Sequence, residues 1–567
     1  MFARFLLALA ACTLVQPVFA EDAEKGIPVT SELVRNACGA CHAIDDANRL
    51  SRISYERKAP EGWGTTLKRM LRTGQVQLSP EQAKEIVRYL SDNHGLAPAE
   101  ARPVFYRAEK RPVHEKIFDY EVRVTCTACH IGARFLSQRR SEEEWMLLKG
   151  MHLGYFPIAE YQGFRSAIPA WELPRFEHEA QLTSPPEVEE GEQKPWRVDR
   201  VLKTLAQELP LDSPEWRAFQ AKRVERDLSG TWLFSAYEPG KGPLIGEVEI
   251  ARSGQDYVTS AKIRTPNGSI EERQGRAVLY TGYSWRGSSS GSNLGDMKEV
   301  LMLSDDGSRL TGRFFKGMYG ELGIDVELSR IGSDARITAV WPRGLRADVG
   351  DTSLTILGAN LPINLAPDDV VLGHGLEVRE ITSATDNALE VRVAVSADAR
   401  AGSRDVSLGD TVLVDAFAVY DQMHYVKVVP EEGMARLGGV QIPKQFVQFE
   451  AVGYHDGPDG ERFTEDDIDL GLVNATWHLE EYIVREDDDD LQYVGAIDDN
   501  GFFTPNIEGP NPDRKGTNNY GDVWAVAVFD QPGQASQASQ ASLTSALKGR
   551  AHLLVTVPLY AYWDSFP

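Results

Sequence analysis

CTACH at residues 126–130, with its twin CGACH at residues 38–42, decides how this chain is read. Cys-x-x-Cys-His is the attachment signature of c-type haem. Cysteines three residues apart and a histidine at the next position share one face of a helix. One turn can therefore hold the porphyrin edge through two thioether bonds and offer an imidazole to the iron. Zinc would need four clustered ligands, and a redox Cys-x-x-Cys pair has no need of a histidine directly after the second cysteine in both copies. Four of the five cysteines (Cys38, Cys41, Cys126 and Cys129) lie in the two motifs, and the fifth is Cys12. Two covalent haems are expected, with His42 and His130 as ligands.

Residues 1–20 read as a secretory leader: Arg4, an apolar run from Phe5 to Val15, then Val18-Phe19-Ala20 before Glu21. The run is too short to span a bilayer, and no later stretch is long enough. A soluble periplasmic protein cleaved after Ala20 is expected, in the compartment where bacteria attach haem covalently. With Cys12 gone, no cysteine remains for a disulfide, so the fold must rest on ordinary cores. The net charge is −24, one unit more negative without Arg4, which argues against nucleic acid or an anionic membrane as partner.

Two similar repeats surround the motifs. In the first, Trp63, Leu67 and Met70 share a helix face. A second helix is announced by Ser79 as N-cap, Pro80 at its first position and Gln82 completing a capping box, with Gly95 as stop. His94 closes this unit as a capping or surface histidine. In the second repeat, Ser141 and Glu144 form another capping box ahead of Trp145 and Leu148. Seven residues beyond Trp63 is Met70, and seven beyond Trp145 is His152. A step of seven returns within roughly 20° of the starting face. His42 and Met70 are thereby assigned to the first iron, and His130 and His152 to the second, where Met151, His114 and His178 compete with His152. Thioether ligation raises a haem potential relative to a second imidazole, so the two sites should differ, as suits a relay.

The remainder reads as β structure. Residues 183–228 form a Pro- and Glu-rich linker and a helix over 197–226 that straps the haem domain to the β domains. From 229 to 332, short alternating strands with turn signals predict a barrel or sandwich, with a packed interior and no convergent polar cluster. Residues 335–420 resemble an immunoglobulin-like sandwich, and 423–567 a third β-sandwich with acidic loops. The run from Glu486 to Asp490 and the cluster from Asp456 to Asp467 do not fit an EF-hand spacing and read as solvated loops. The tandem QASQASQAS at 534–542 is low-complexity. No P-loop, GxGxxG, zinc spacing or trusted Ser-His-Asp order is present, so the chain alone reads as an electron carrier with β modules.

The runs RISYERKAPEGWGTTLKRM, NHGLAPAEA and SEEEWMLLKGMHLGYFPIAEYQG, in a dihaem layout, resemble the α subunit of quinohemoprotein amine dehydrogenase, over essentially the whole mature chain. The resemblance implies a multidomain fold: a mainly-α dihaem cytochrome c domain of two class I-like repeats (21–182), then three all-β domains. It carries the haem ligands over onto His42, Met70, His130 and His152. It also implies a heterotrimer with a propeller β subunit and a small γ subunit bearing cysteine tryptophylquinone, where a primary amine is oxidised to aldehyde and ammonia. Electrons would leave for a blue-copper protein or another cytochrome c. A stand-alone dihaem carrier or binding protein with docking β-sandwiches is the alternative.

Overall fold

The computed structural model describes residues 25–557, apart from 75, 106–118, 128–129, 166–195, 318–321, 348, 441–442, 485–487 and 531–545. The expected leader, Cys129, His114, His178, most of the Pro- and Glu-rich linker and the QASQASQAS tandem lie outside the described residues, as does part of the Glu486–Asp490 run. Among the described residues, no helix is long and apolar enough to cross a membrane.

The N-terminal part is two helical units built alike. The first contains α1 (Glu32–Cys38), α2 (Pro60–Thr73) and α3 (Pro80–Asn93), followed by the short α4 (Pro98–Ala101). The second contains α5 (Tyr120–Cys126), the short α6 (Ala133–Leu136), α7 (Glu142–Tyr155) and a closing helix, Arg197–Glu208. Both α1 and α5 end on the first cysteine of their motif. The Ser79 capping box forms in full, its hydroxyl accepting from Gln82 N while the Gln82 side chain returns to Ser79 N. At Ser141 only half forms: the hydroxyl accepts from Glu144 N at 3.2 Å, but the Glu144 carboxylate turns to Arg52, 2.7 Å away. The charged guanidinium outcompetes a backbone amide for that carboxylate.

Two three-residue strands, β1 (Glu56–Lys58) and β2 (Gln138–Arg140), pair antiparallel and join the units, with Arg57 opposite Arg139. Around them the hydrogen bonds repeat by near two-fold symmetry: Ala59 N donates to Ser137 O, and Ser141 N to Tyr55 O, both 3.1 Å. The facing arginines share one acid. Arg57 grips Glu100 with bonds of 2.7 and 2.9 Å, and Arg139 Nε lies 3.1 Å from the same carboxylate. Arg57 is fully buried, which is tolerable because its donors also reach Leu211 O, Gly95 O and Ser213 Oγ.

The Arg197–Glu208 helix does not strap one domain to the next. Val198, Val201, Leu202 and Leu205 bury against Trp145 and Phe164 in the second unit's core, so the boundary expected at residue 182 cuts through that unit. The helix expected over 197–226 is also two helices, Arg197–Glu208 and Pro214–Lys222. Pro210 and the Ser213 N-cap separate them, since a proline nitrogen cannot donate to a continuing helix.

β3 (Gly230–Glu238) to β10 (Gly323–Arg330) close into an eight-stranded antiparallel barrel. Its interior is packed around Trp232, Phe234, Trp285 and Phe314. It also holds a polar set that the alternation pattern did not reveal. Arg273 bonds Glu271 at 2.5 Å and Ser289 Oγ at 3.1 Å, and Trp285 Nε1 donates to Glu299 at 3.0 Å. The barrel clamps onto the first unit: Tyr283 Oη donates to Leu96 O and Thr281 Oγ1 to Ser91 O, each 3.0 Å. Residues 336–420 then form two facing four-stranded sheets around Leu354, Val391 and Phe417. From Tyr425 on, one four-stranded and two three-stranded sheets complete the third β unit.

Candidate haem site

The turn after α1 is shaped by its backbone. Cys38 O accepts from Cys41 N at 3.1 Å and from His42 N at 2.9 Å, so the motif curls as one turn beyond the helix end. Cys38 is half-buried and Cys41 exposed. Burial, with Cys41 alongside, pushes the Cys38 thiol up to about 11. Burial pushes the Cys126 thiol up to about 12. Both of these thiols are thereby kept neutral at ordinary pH. Among the described residues, no group of three or more His, Cys, Asp or Glu is arranged to hold a metal ion.

Cys126, His130 and His152 line one cavity of about 600 Å³, open solvent included, walled by Phe135, Trp145, Phe164 and Leu202. The His130 and His152 rings lie with centroids 6.5 Å apart and planes tilted by 35°. A metal–imidazole bond of roughly 2.0–2.1 Å, plus about 1.1 Å from nitrogen to ring centre on each side, requires roughly 6.3 Å. The described residues therefore fit a group whose metal takes two imidazoles within an apolar slot. Each ring is held by its Nδ1: His152 to Leu148 O and His130 to Ile131 O, both 2.9 Å. His42 is held likewise to Ser51 O at 2.8 Å. A protonated Nδ1 makes Nε2 the lone-pair nitrogen, the tautomer that ligation requires. Burial lowers the proton affinity of His152. The Leu148 bond opposes this, and the Arg140, Arg69 and Arg134 charges add to it.

The slot depends on a close approach. The turn at Glu160–Phe164 lies on α5, and a Cβ on Gly163 would come within 2.8 Å of Thr125 O. The Gly163 carbonyl in turn accepts from Arg197 Nη2 at 3.0 Å, tying the turn to the closing helix.

The first unit's candidate residues sit on α2 and on the turn after α1. Trp63 and Leu67 are buried in its core. Met70 is half-buried on the same helix, and neither it nor His42 shares the lining of the second unit's cavity. His94 does close α3, as its C-cap, but it is fully buried rather than at the surface. Neither of its ring nitrogens has a hydrogen-bond partner among the described residues. Sequence reading missed this because a histidine next to glycine at a helix end carries no mark of the segments that pack over it. A larger cleft, about 1930 Å³ with open solvent, lies between the barrel and the C-terminal unit, but its lining includes no cysteine or histidine.

No curated protein matches this chain. Among solved structures it is similar to a de novo designed fluorescence-activating β-barrel, at 22% identity over 18% of this chain and 94% of that one, TM-score 0.16. It is likewise similar to a redesigned β-barrel bound to DFHBI, at 17% identity over 18% and 98%, TM-score 0.16. At those scores neither bears on the fold or function of the whole chain. Family models match nearly end to end. Residues 29–184 match the haem-binding domain of the quinohemoprotein amine dehydrogenase alpha subunit. Residues 225–331, 334–421 and 426–565 match domains II, III and IV of that same subunit. With a haem-binding domain followed by three β domains in that order, the chain belongs to the quinohemoprotein amine dehydrogenase alpha-subunit family.

Proposed function

We propose that this chain is the dihaem electron-transfer subunit of a periplasmic amine dehydrogenase. Two haem c groups are held covalently, one at Cys38 and Cys41 with His42 and Met70 as ligands, the other at Cys126 and Cys129 with His130 and His152. The exported chain, its leader cleaved after Ala20, works in a heterotrimer with a propeller subunit and a small subunit carrying cysteine tryptophylquinone, where primary amines become aldehyde and ammonia. Its acceptor is a blue-copper protein or another cytochrome c. The observation that carries this reading is the His130–His152 pair, 6.5 Å apart across an apolar cavity that Cys126 also lines.

Bound haem supplies one-electron exchange between ferric and ferrous iron. The chain's own residues set the conditions for it. His130 and His152 would together hold the haem of the second site, each offering one imidazole. Phe135, Trp145, Phe164 and Leu202 exclude water from it, and backbone carbonyls fix the tautomer of each histidine. The thioether of Met70 would favour ferrous iron more than a second imidazole does, so the two sites would differ in potential, as suits a relay.

Anaerobic addition of a primary amine to protein purified from its native periplasm tests the reading. Haem reduction, with a small cofactor-bearing chain co-purifying, is the expected result. An intact complex inert to amines removes the substrate class. A chain that purifies alone with two dithionite-reducible haems is a stand-alone carrier instead.

A further inference from the structure

We propose that Glu144, on the second unit's α7, is a positioning residue for the first unit's haem ligand His42, acting through Arg52 and the Ser51 carbonyl. α7 then carries an axial ligand of one site, His152, and the residue that orients an axial ligand of the other. The inference rests on the haem reading above and deepens it.

Three observations carry it. First, His42 depends on a loop for its hydrogen bond. His130 and His152 bond to carbonyls one and four residues away. His42 Nδ1 bonds instead to Ser51 O, nine residues on, at 2.8 Å. Second, a strained turn aims that carbonyl. Ile53 N also donates to Ser51 O, at 2.9 Å, closing a γ-turn with Arg52 at its centre, φ +71° and ψ −58°. A residue bearing a Cβ is disfavoured there, and such a turn persists only where its surroundings hold it. Ser51 N is tied to Ala43 O at 2.9 Å, so the peptide between Ser51 and Arg52 sets where the carbonyl points. Third, the hold on Arg52 comes from the other unit: its Nε makes an ion pair with Glu144 Oε2 at 2.7 Å. Glu144 is buried in the first turn of α7, beside the fully buried Trp145. A carboxylate on a packed helix is a fixed anchor for a loop. Arg140, the other cation near Glu144, lies 3.8 Å away and is engaged by Glu56 at 2.6 Å.

A hydrogen bond from Nδ1 makes an axial imidazole the stronger donor and favours ferric iron, so its loss favours ferrous iron. The test is Glu144→Gln and Arg52→Gly, singly and together, in the haem-loaded assembled protein. It is run at about pH 8, above the value of about 7 to which burial and the Glu56 charge push the Glu144 carboxyl against Arg52 and Arg140. In E144Q the ferrous-to-ferric ratio of the methionine-ligated haem should rise about threefold at fixed potential, the effect of one modest hydrogen bond. The His42 Nδ1 proton, read in the paramagnetically shifted NMR spectrum, should exchange faster with solvent. Glycine is at ease at positive φ, so R52G should keep the turn and its slow Nδ1 exchange. Adding E144Q to R52G should then move the potential far less and leave that exchange slow.

A shift by E144Q that is equal with and without Arg52, or an unchanged Nδ1 exchange in E144Q, overturns the role of Glu144 while leaving the ligand assignment standing. A wild-type peptide spanning Cys38 to His42 without the mass of a haem overturns both.

Discussion

Trp63 and Trp145 make the same hydrogen bond in the two helical units. Trp63 Nε1 donates to His94 O at 2.9 Å, and Trp145 Nε1 donates to Leu209 O at 3.2 Å. Each acceptor is the C-cap of its unit's closing helix, and each also accepts from the joining ribbon, Lys58 N in one case and Arg140 N in the other. A cation stands over each ring, Lys58 at 4.9 Å and Arg140 at 5.7 Å. The tryptophan thus pins its own helix (α2 or α7), the closing helix and the ribbon together, which keeps the residue seven positions on at a fixed height in its unit.

Trp63→Phe and Trp145→Phe remove the donor while keeping most of the buried ring. Each carbonyl retains its ribbon partner, so the loss is about 1 kcal/mol per variant. Urea unfolding monitored in the haem band should show lower midpoints with unchanged slopes.

Replacing a proposed axial ligand should act on one haem only. Met70→Ala should lower one potential and abolish the methionine-to-ferric band. His152→Ala should convert the other haem to a high-spin form that binds carbon monoxide. A redox titration of M70A that matches wild type would remove Met70 from the ligand set.

Stability should fall in two steps on acidification. Burial, with the Arg57 charge adding, pushes His94 down to about 4 from 6.5. The unfolded chain therefore takes up a proton that the folded one refuses, and stability drops as the pH falls from 6.5 to 4. Burial pushes the Glu100 carboxyl up, but the Arg57 hydrogen bond and charge, with Arg139, outweigh it and hold it at about 2. Its contribution is complete above 4.5 and lost as the pH falls toward 2, about 3 kcal/mol in all. His94→Phe should flatten the first step alone in a denaturation series across pH. Glu100→Gln leaves Arg57 buried and unmatched and should cost about 3–5 kcal/mol at neutral pH.

Gly163→Ala forces a methyl group against Thr125 O. The turn must lift from α5, costing about 1–3 kcal/mol and loosening the slot around His152. A broadened bis-imidazole resonance signal with unchanged haem content would show it.

The local features of this chain can be read from its residues alone. The two Cys-x-x-Cys-His motifs, the Ser79 capping box and the seven-residue step from each tryptophan are legible because each depends on neighbours within two helical turns. The strand alternation after residue 229 is legible for the same reason. Which distant segments come together depends on how the whole chain packs. Nothing in the spacing says that the Arg197–Glu208 helix walls the cavity of His130 and His152, or that Arg52 reaches Glu144 in the other unit. Nor does alternation reveal Glu271, Arg273 and Glu299 inside the barrel, since a buried charge is stable only where its partners converge from other strands. His94 shows the limit most plainly: its place at the end of α3 comes from local chemistry, whereas its burial depends on the segments that pack over it.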